Sequence, residues 1–213
     1  MQADAFRQAL KTRLTDRFIT IQNETDYFSS AVVLPLVPVG DGLGLLFEVR
    51  SAQLAWQPGE ICFPGGRIEA SDASPRHAAV REAGEELGLP PDCLEIIGTL
   101  DYLVSPIGVI IYPFAGYIAE PAKIKANSGE VAELFTVPLA FFLNNEPQTA
   151  EMEIATRPLS GFPLELMPPG YPEGWRRRAT YPVFFYKYDK YVIWGLSARI
   201  LYNFIEVCRE IVK

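Results

Sequence analysis

The sequence predicts an α+β fold built on a mixed β-sheet. Strand-like and helical runs follow one another without the regular strand–helix–strand alternation of a parallel sheet. Two pairs of apolar, β-rich runs are joined by short glycine-containing turns and read as hairpins: "SSAVVLPLVPVG" with "GLGLLFEVRS", and "LEIIGTLDYLVS" with "GVIIYPFAGYIAE". Neither GxGxxG nor GxxxxGK[ST] occurs, so the two common nucleotide-cradling loops of doubly wound sheets are absent.

Taken in order, residues 4–17 read as an amphipathic helix within an N-terminal segment, 1–20. The first strand run carries a proline in each half, which predicts an edge or irregular strand. "EICFPGG" reads as a strand end feeding a loop. Residues 74–88 read as a helix: Ser74 or Asp72 can cap it, Pro75 suits its first turn, and Gly88 and Pro90 stop it. "VAELFTVPLAFFLNN" begins extended and turns helical after Pro138. Residues 157–175, with five prolines and three glycines, predict a long loop, a kind of segment often tied to function. "YPVFFYKYDKYVIWG" reads as aromatic strand or hairpin. A last helix is expected from near Ile193, with Ile193, Leu196, Ile200, Leu201, Phe204 and Val207 on one face. A chain of 213 residues suits one domain, with its core over 30–205.

Composition narrows the function. The formal net charge of −7 argues against a nucleic-acid backbone binder. "RRR" at Arg176–Arg178 is the only dense basic cluster and reads as solvated surface. No run reaches the roughly 18–20 apolar residues that span a bilayer, so no membrane partner is expected. The N-terminus has no signal-peptide core. Cys62, Cys93 and Cys208 are widely spaced and odd in number, which predicts reduced thiols and a cytoplasmic location. His77 is the single histidine, expected exposed near a helix start. Any Ser-His-Asp or Cys-His chemistry would have to use it.

The acidic helix is the candidate site. Glu82, Glu85 and Glu86 stand at i, i+3 and i+4 and share one face, while Val80, Ala83 and Leu87 lie on another and can pack on a sheet. Carboxylates so placed repel each other. Either the face is solvated, or something positive offsets the repulsion. Oxygen-only ligands suit Mg²⁺ or Mn²⁺ better than zinc. Arg81 can orient a carboxylate, and Gly65 and Gly66 allow close backbone approach.

"GRIEASDASPRHAAVREAGEELGL" resembles the Nudix box. Arg81 to Leu89 match every position of its second half. In the first half Asp72 stands where a glutamate is usual, with one extra residue before Arg81. That variation is similar to the coenzyme A pyrophosphatase-like subgroup. Arg50, Ser51, Gly59 and Phe63–Gly66 resemble that subgroup's upstream signature, although Ala55 replaces its arginine and Gln57 a common histidine.

The resemblance implies a Nudix-like α/β/α sandwich with a mixed β-sheet and added terminal helices. It implies Mg²⁺ (or Mn²⁺) held by Glu82, Glu85, Glu86 and the Gly66 carbonyl, and hydrolysis of a small-molecule diphosphate substrate. Glu85 is the first candidate base and Glu130 the second, with Glu133 also in reach of the role; Arg81 assists. Arg50, Arg67 and Gly65 are candidate substrate contacts, and Trp56, Tyr102 and Tyr112 candidate stacking partners for an adenine. Coenzyme A is the implied substrate; ADP-ribose, NADH or another nucleotide, or a non-catalytic binding module, are the alternatives. An exposed edge strand would permit a homodimer.

Overall fold

A computed structural model describes residues 3–17 and 21–211. The chain opens with helix α1 (Ala3–Thr15) and strands β1 (Phe28–Val39), β2 (Gly42–Arg50), β3 (Ile61–Cys62) and β4 (Gly65–Arg67). Helix α2 (Pro75–Leu87) leads to β5 (Glu95–Thr99), β6 (Leu103–Ser105), β7 (Val109–Tyr117) and β8 (Val131–Pro138). Helix α3 (Leu139–Asn144), strands β9 (Gln148–Thr156), β10 (Arg176–Tyr188) and β11 (Tyr191–Trp194), and helix α4 (Gly195–Ile211) complete it.

The first eight strands form one mixed sheet, ordered β3-β2-β1-β7-β5, with β4 also on β1, β6 on β7 and β8 on β2. The β1–β7 pair is parallel and the other pairs are antiparallel. Strands β9, β10 and β11 make a second, antiparallel sheet.

Alternation along the central strands gives the large sheet two faces. Val33, Val37 and Leu46 point to one face and pack with Ala78, Ala79, Ala83 and Leu87 of α2. Leu34, Leu36, Leu45 and Phe47 point to the other and pack with Phe142 of α3, Tyr186 and Ile193 of the second sheet, and Leu201, Phe204 and Ile205 of α4. Each fully buried Leu or Phe contributes on the order of 1.5–3 kcal/mol. The result is the expected helix–sheet–helix layering, with the second sheet added on the α4 side.

Both expected hairpins are present, with β1–β2 closed at Val39↔Gly42 and β5 and β6 both folded onto β7. Four details differ from the sequence expectation. Strand β1 is central, not an edge. Its prolines are tolerated because Pro35 falls between Val32, the last residue paired with β4, and Leu36, the first paired with β2. Pro38 lies past Leu36, where the β7 ladder has ended. On α2 the buried stripe is Ala78, Ala79, Ala83 and Leu87, while Val80 is only half-buried. Small alanines let the helix lie close on the sheet. Helix α4 starts at Gly195, because Ile193 belongs to β11; Val207 is exposed, and Ala198, Ile205 and Cys208 are buried instead. Strand β9 was not anticipated: its alternation is weak and its residues are mostly exposed.

Residues 157–175 form the expected loop, with one 3-10 turn at Leu164–Leu166. Helix α1 ends at Thr15 and buries no residue. The expected N-terminal segment extends over residues 1–2 and 18–20, which lie outside the described residues. All three cysteines are free. Among the described residues no helix is long and apolar enough to cross a membrane.

Candidate functional site

Helix α2 begins where Ser74 adopts extended backbone and its Oγ accepts the His77 N–H at 3.2 Å. It ends at Gly88 in the left-handed region, φ 60°. A side chain there would run into the Lys125 carbonyl, because the 125–130 loop docks on the helix end: Lys125 N–H donates to the Leu87 carbonyl and Asn127 N–H to that of Glu86. This docking brings Glu130 beside the helix glutamates.

Asp72 does not cap the helix. Its carboxylate, 1% exposed as a side chain, accepts two bonds from Arg81, Nε at 3.1 Å and Nη2 at 2.9 Å, and the Glu69 N–H at 2.9 Å. His77 Nδ1 lies 3.0 Å from it, and His77 itself is exposed as expected. Hydrogen bonds from Arg81 hold the Asp72 carboxyl well below the usual carboxylate range. So clamped, Arg81 directs Nη1 to Glu82 at 2.8 Å and to Glu85 at 3.6 Å.

The three helix glutamates meet different surroundings. Glu85 is exposed. Glu82 is half-buried, and burial raises its pKa. Glu86 is 5% exposed, and its Oε2 accepts the Gly65 N–H at 2.7 Å. Burial first, then the charge of Glu48, push Glu86 up to about 9. Gly65 and Gly66 are both required here. Gly65 has φ 149° and lies so close on β1 that a Cβ would overlap the Ala31 carbonyl and Val32. A Cβ on Gly66 would overlap the Glu82 carboxylate.

Sequence reading missed Glu48. It sits on β2 opposite Cys62, is 1% exposed, and accepts the Cys62 thiol at 3.1 Å through Oε1. Burial raises its carboxyl to about 7, with Arg50 opposing and Glu130 adding. The signal available was a single acid interrupting the apolar run "GLLFEV", which period-2 counting absorbs as a half-buried strand position.

Glu48, Glu82, Glu86 and Glu130 thus form one electrostatic group, and neighbouring charges help to raise the carboxyls of Glu48, Glu82 and Glu86. Among the described residues, no three of them are gathered at ligand spacing around one point. Glu82 is turned to Arg81 and Glu86 to Gly65, so holding a cation requires them to turn from these partners. The donor set nevertheless fits a hard divalent cation: oxygens only, one buried oxygen without a partner, and a glycine cradle.

Other expected residues lie elsewhere. Glu133 accepts from Lys190 Nζ at 2.9 Å and the Tyr191 hydroxyl at 2.6 Å, tying β8 to the second sheet, which leaves it engaged rather than poised as a base. Arg67 places its guanidinium 5.4 Å from the Phe28 ring centre. Arg50 donates to the Trp56 carbonyl at 3.3–3.4 Å. Trp56 is 75% exposed, and Tyr102 and Tyr112 pair with each other at 5.8 Å.

A largely apolar cleft of about 470 Å³ opens on the opposite face of the same turn. Arg50, Phe63, Ile107, Trp194 and Arg199 are among its walls. Cys62 and Phe63 line it, two to three residues before the glycines.

A NUDIX domain model matches residues 30–154. The chain is 39% identical over 114 residues to the peroxisomal coenzyme A diphosphatase NUDT7 of Mus musculus, an alignment covering 54% of this chain and 48% of that one. It is 34% identical over 172 residues to the uncharacterized Nudix hydrolase NudL of Citrobacter koseri, covering 81% and 78%. With the NudL of Escherichia coli strain K12 it shares 32% over 183 residues, covering 85% and 83%. The chain therefore spans about half the length of the mouse relative and more than three-quarters of the bacterial ones.

Proposed function

Starting from the chain's membership of the Nudix hydrolase family, we propose that it is a Mg²⁺- or Mn²⁺-dependent enzyme that cleaves the diphosphate of coenzyme A or a close derivative. The family's enzymes are pyrophosphohydrolases acting on small-molecule diphosphates, and this chain is one of them. One observation carries the finer reading. The α2 glutamates and the apolar cleft share the Cys62–Gly66 turn. An anionic diphosphate at the glutamates would leave a long, weakly polar arm free to lie in the cleft. Coenzyme A has that division between its halves, whereas ADP-ribose and NADH are polar on both sides of the diphosphate.

In this reading Glu82, Glu85, Glu86 and the Gly66 carbonyl would hold the divalent cation. When bound, the cation neutralises diphosphate charge and lowers the pKa of water. Arg81, fixed by Asp72, orients Glu82 and Glu85. Glu85 is the base: it is exposed to water, and Arg81 Nη1 lies 3.6 Å from its carboxylate. Glu130 is the second candidate, half-buried and within electrostatic reach of the same group. Arg50, on the cleft wall, would contact phosphate oxygens after leaving the Trp56 carbonyl. Gly65 positions Glu86 through its N–H, and Arg67 borders the glycines from the exposed end of β4.

The test is incubation with Mg²⁺ and, separately, coenzyme A, ADP-ribose, NADH and diadenosine polyphosphates, with products identified by mass and Glu85→Gln as control. Cleavage of coenzyme A into 3′-phosphoadenosine 5′-phosphate and phosphopantetheine, lost in the variant, is the expected result. Preference for another member of the panel would overturn the substrate and keep the hydrolase.

A further inference from the structure

Strand β2 places an acid where its pattern calls for a core side chain. Leu45 and Phe47 enter the core on the α4 side, and Leu46 packs under α2 with Ala83 and Leu87. Glu48 follows Leu46 on the α2 face, 1% exposed. Its Oε1 accepts the Cys62 thiol, and its Oε2 has no hydrogen-bond partner, the one such fully buried side-chain atom among the described residues. No lysine or arginine among the described residues is within ion-pair distance of it, and Arg50 is turned to the Trp56 carbonyl. The facing charge is another carboxylate, Glu86 on α2, itself 5% exposed.

A bare carboxylate oxygen buried beside a second acid opposes folding. An apolar residue at this position would pack with Leu46, Leu134 and Leu87 at no such cost. A divalent cation between the two acids supplies the missing partner: it prefers carboxylate oxygens and offsets the repulsion. A monovalent side chain does not serve, because none reaches the spot.

We propose that Glu48 is a further carboxylate of the cation site, approaching from β2, with Oε2 as the contributing oxygen, across from the glutamates of α2. The inference rests on the metal-dependent reading above and extends it to a residue outside the helix motif. It gives the cation one wall on the sheet and one on the helix, so loading the site would clamp β2 to α2.

Binding of Mn²⁺ to the full chain without substrate tests it, read from the loss of the free Mn²⁺ signal in electron paramagnetic resonance. Wild type, Glu48→Gln and Glu48→Leu would be compared, with thermal melts in chelator and in Mn²⁺. Expected in both variants is Mn²⁺ affinity weaker by at least about tenfold, with a smaller Mn²⁺-induced rise in Tm. In chelator Glu48→Leu should melt higher than wild type, since no bare polar atom is left, whereas Glu48→Gln removes the charge and keeps a polar atom there. Should Glu48→Leu fail to fold, the near-isosteric Glu48→Gln decides alone. Wild-type Mn²⁺ affinity in a folded variant would overturn the role of Glu48 and leave the metal reading standing. No Mn²⁺ binding by the wild type would overturn both.

Discussion

Replacing Glu86 by Gln should flatten the pH dependence of stability in the metal-free protein. Glu86 is 5% exposed, and burial together with Glu48 pushes its carboxyl from 4.5 up to about 9. At neutral pH the folded chain therefore keeps a proton that the unfolded chain has released. The sign follows: a raised acid contributes stability that is complete below its unfolded pKa and is lost as pH rises toward the folded value. One proton of difference is worth about 1.4 kcal/mol per pH unit. From about pH 6 to about pH 8 wild type should lose on the order of 2–3 kcal/mol, or roughly 5–10 °C in Tm for a chain of this size. Glu48, raised to about 7, steepens the lower part of the range, and the slope belongs to the facing pair.

The Gln variant removes the titrating group and keeps an oxygen to accept the Gly65 N–H. Its Tm advantage over wild type should grow with pH. The assay is circular-dichroism melting in chelator at three pH values, repeated with saturating Mg²⁺. The cation favours ionised carboxylates and releases their protons, so the wild-type slope should shrink when it is added, and by more than the variant's, which keeps only Glu48 of the pair. A wild-type Tm that stays level or rises from pH 6 to pH 8, relative to the variant, would refute the account of a proton held between two buried acids.

Glu85→Gln should lower kcat by at least about a hundredfold while leaving Tm within about 1 °C, because Glu85 is exposed; steady-state kinetics and melts check the pair. Gly66→Ala should push the Glu82 carboxylate out of place and weaken Mn²⁺ binding by at least about tenfold, measured by the same resonance titration. Asp72→Ala should free the Arg81 guanidinium from its two bonds and lower kcat about 10–100-fold, with restoration by Asp72→Glu only in part. Deleting residues 160–172, inside the β9–β10 connection, should change KM for coenzyme A and leave Mn²⁺ affinity intact; an unchanged KM would show that the loop does not touch substrate.

How far the sequence reached depended on whether a feature was local. The α2 boundaries were legible because Ser74, Pro75 and Gly88 each act within one turn of themselves. The hairpins were legible for the same reason. Failures came where distant chain decides. The prolines of β1 argued for an edge, yet the gap between β4 and β2 on one side makes room for Pro35 in a central strand. Val80 looked like the natural packing residue of α2, but the sheet lies close enough that alanines fill the contact. At the site, Glu82, Glu85 and Glu86 were named by their spacing, and Glu130 by its position downstream. Their inequality was invisible: exposure of Glu85 and burial of Glu86 follow from where the sheet and the 125–130 loop press on the helix. Glu48 was missed because nothing within β2 reveals that its neighbour across the layer is a second acid.

The segment from Cys62 to Gly66 ties these distant parts together, and its residue types follow from that task. Cys62 gives its thiol to Glu48. Phe63 turns to the other face and packs 4.8 Å from Phe47 in the α4-side core, which anchors the turn. The Pro64 carbonyl accepts the Val33 N–H, locking the turn to β1 before β4 begins. Gly65 then presses so close on β1 that no side chain fits, and this approach aims its N–H at Glu86. Gly66 leaves its missing Cβ as the space Glu82 occupies. A bulkier residue at Gly65 would move the segment off β1, and one at Gly66 would displace the Glu82 carboxylate, so the positions of both helix carboxylates depend on these glycines. The "FPGG" stretch is therefore a gauge between sheet and helix as much as a flexible turn: the anchored phenylalanine sets where it sits, and the glycines set how near α2 can bring its acids.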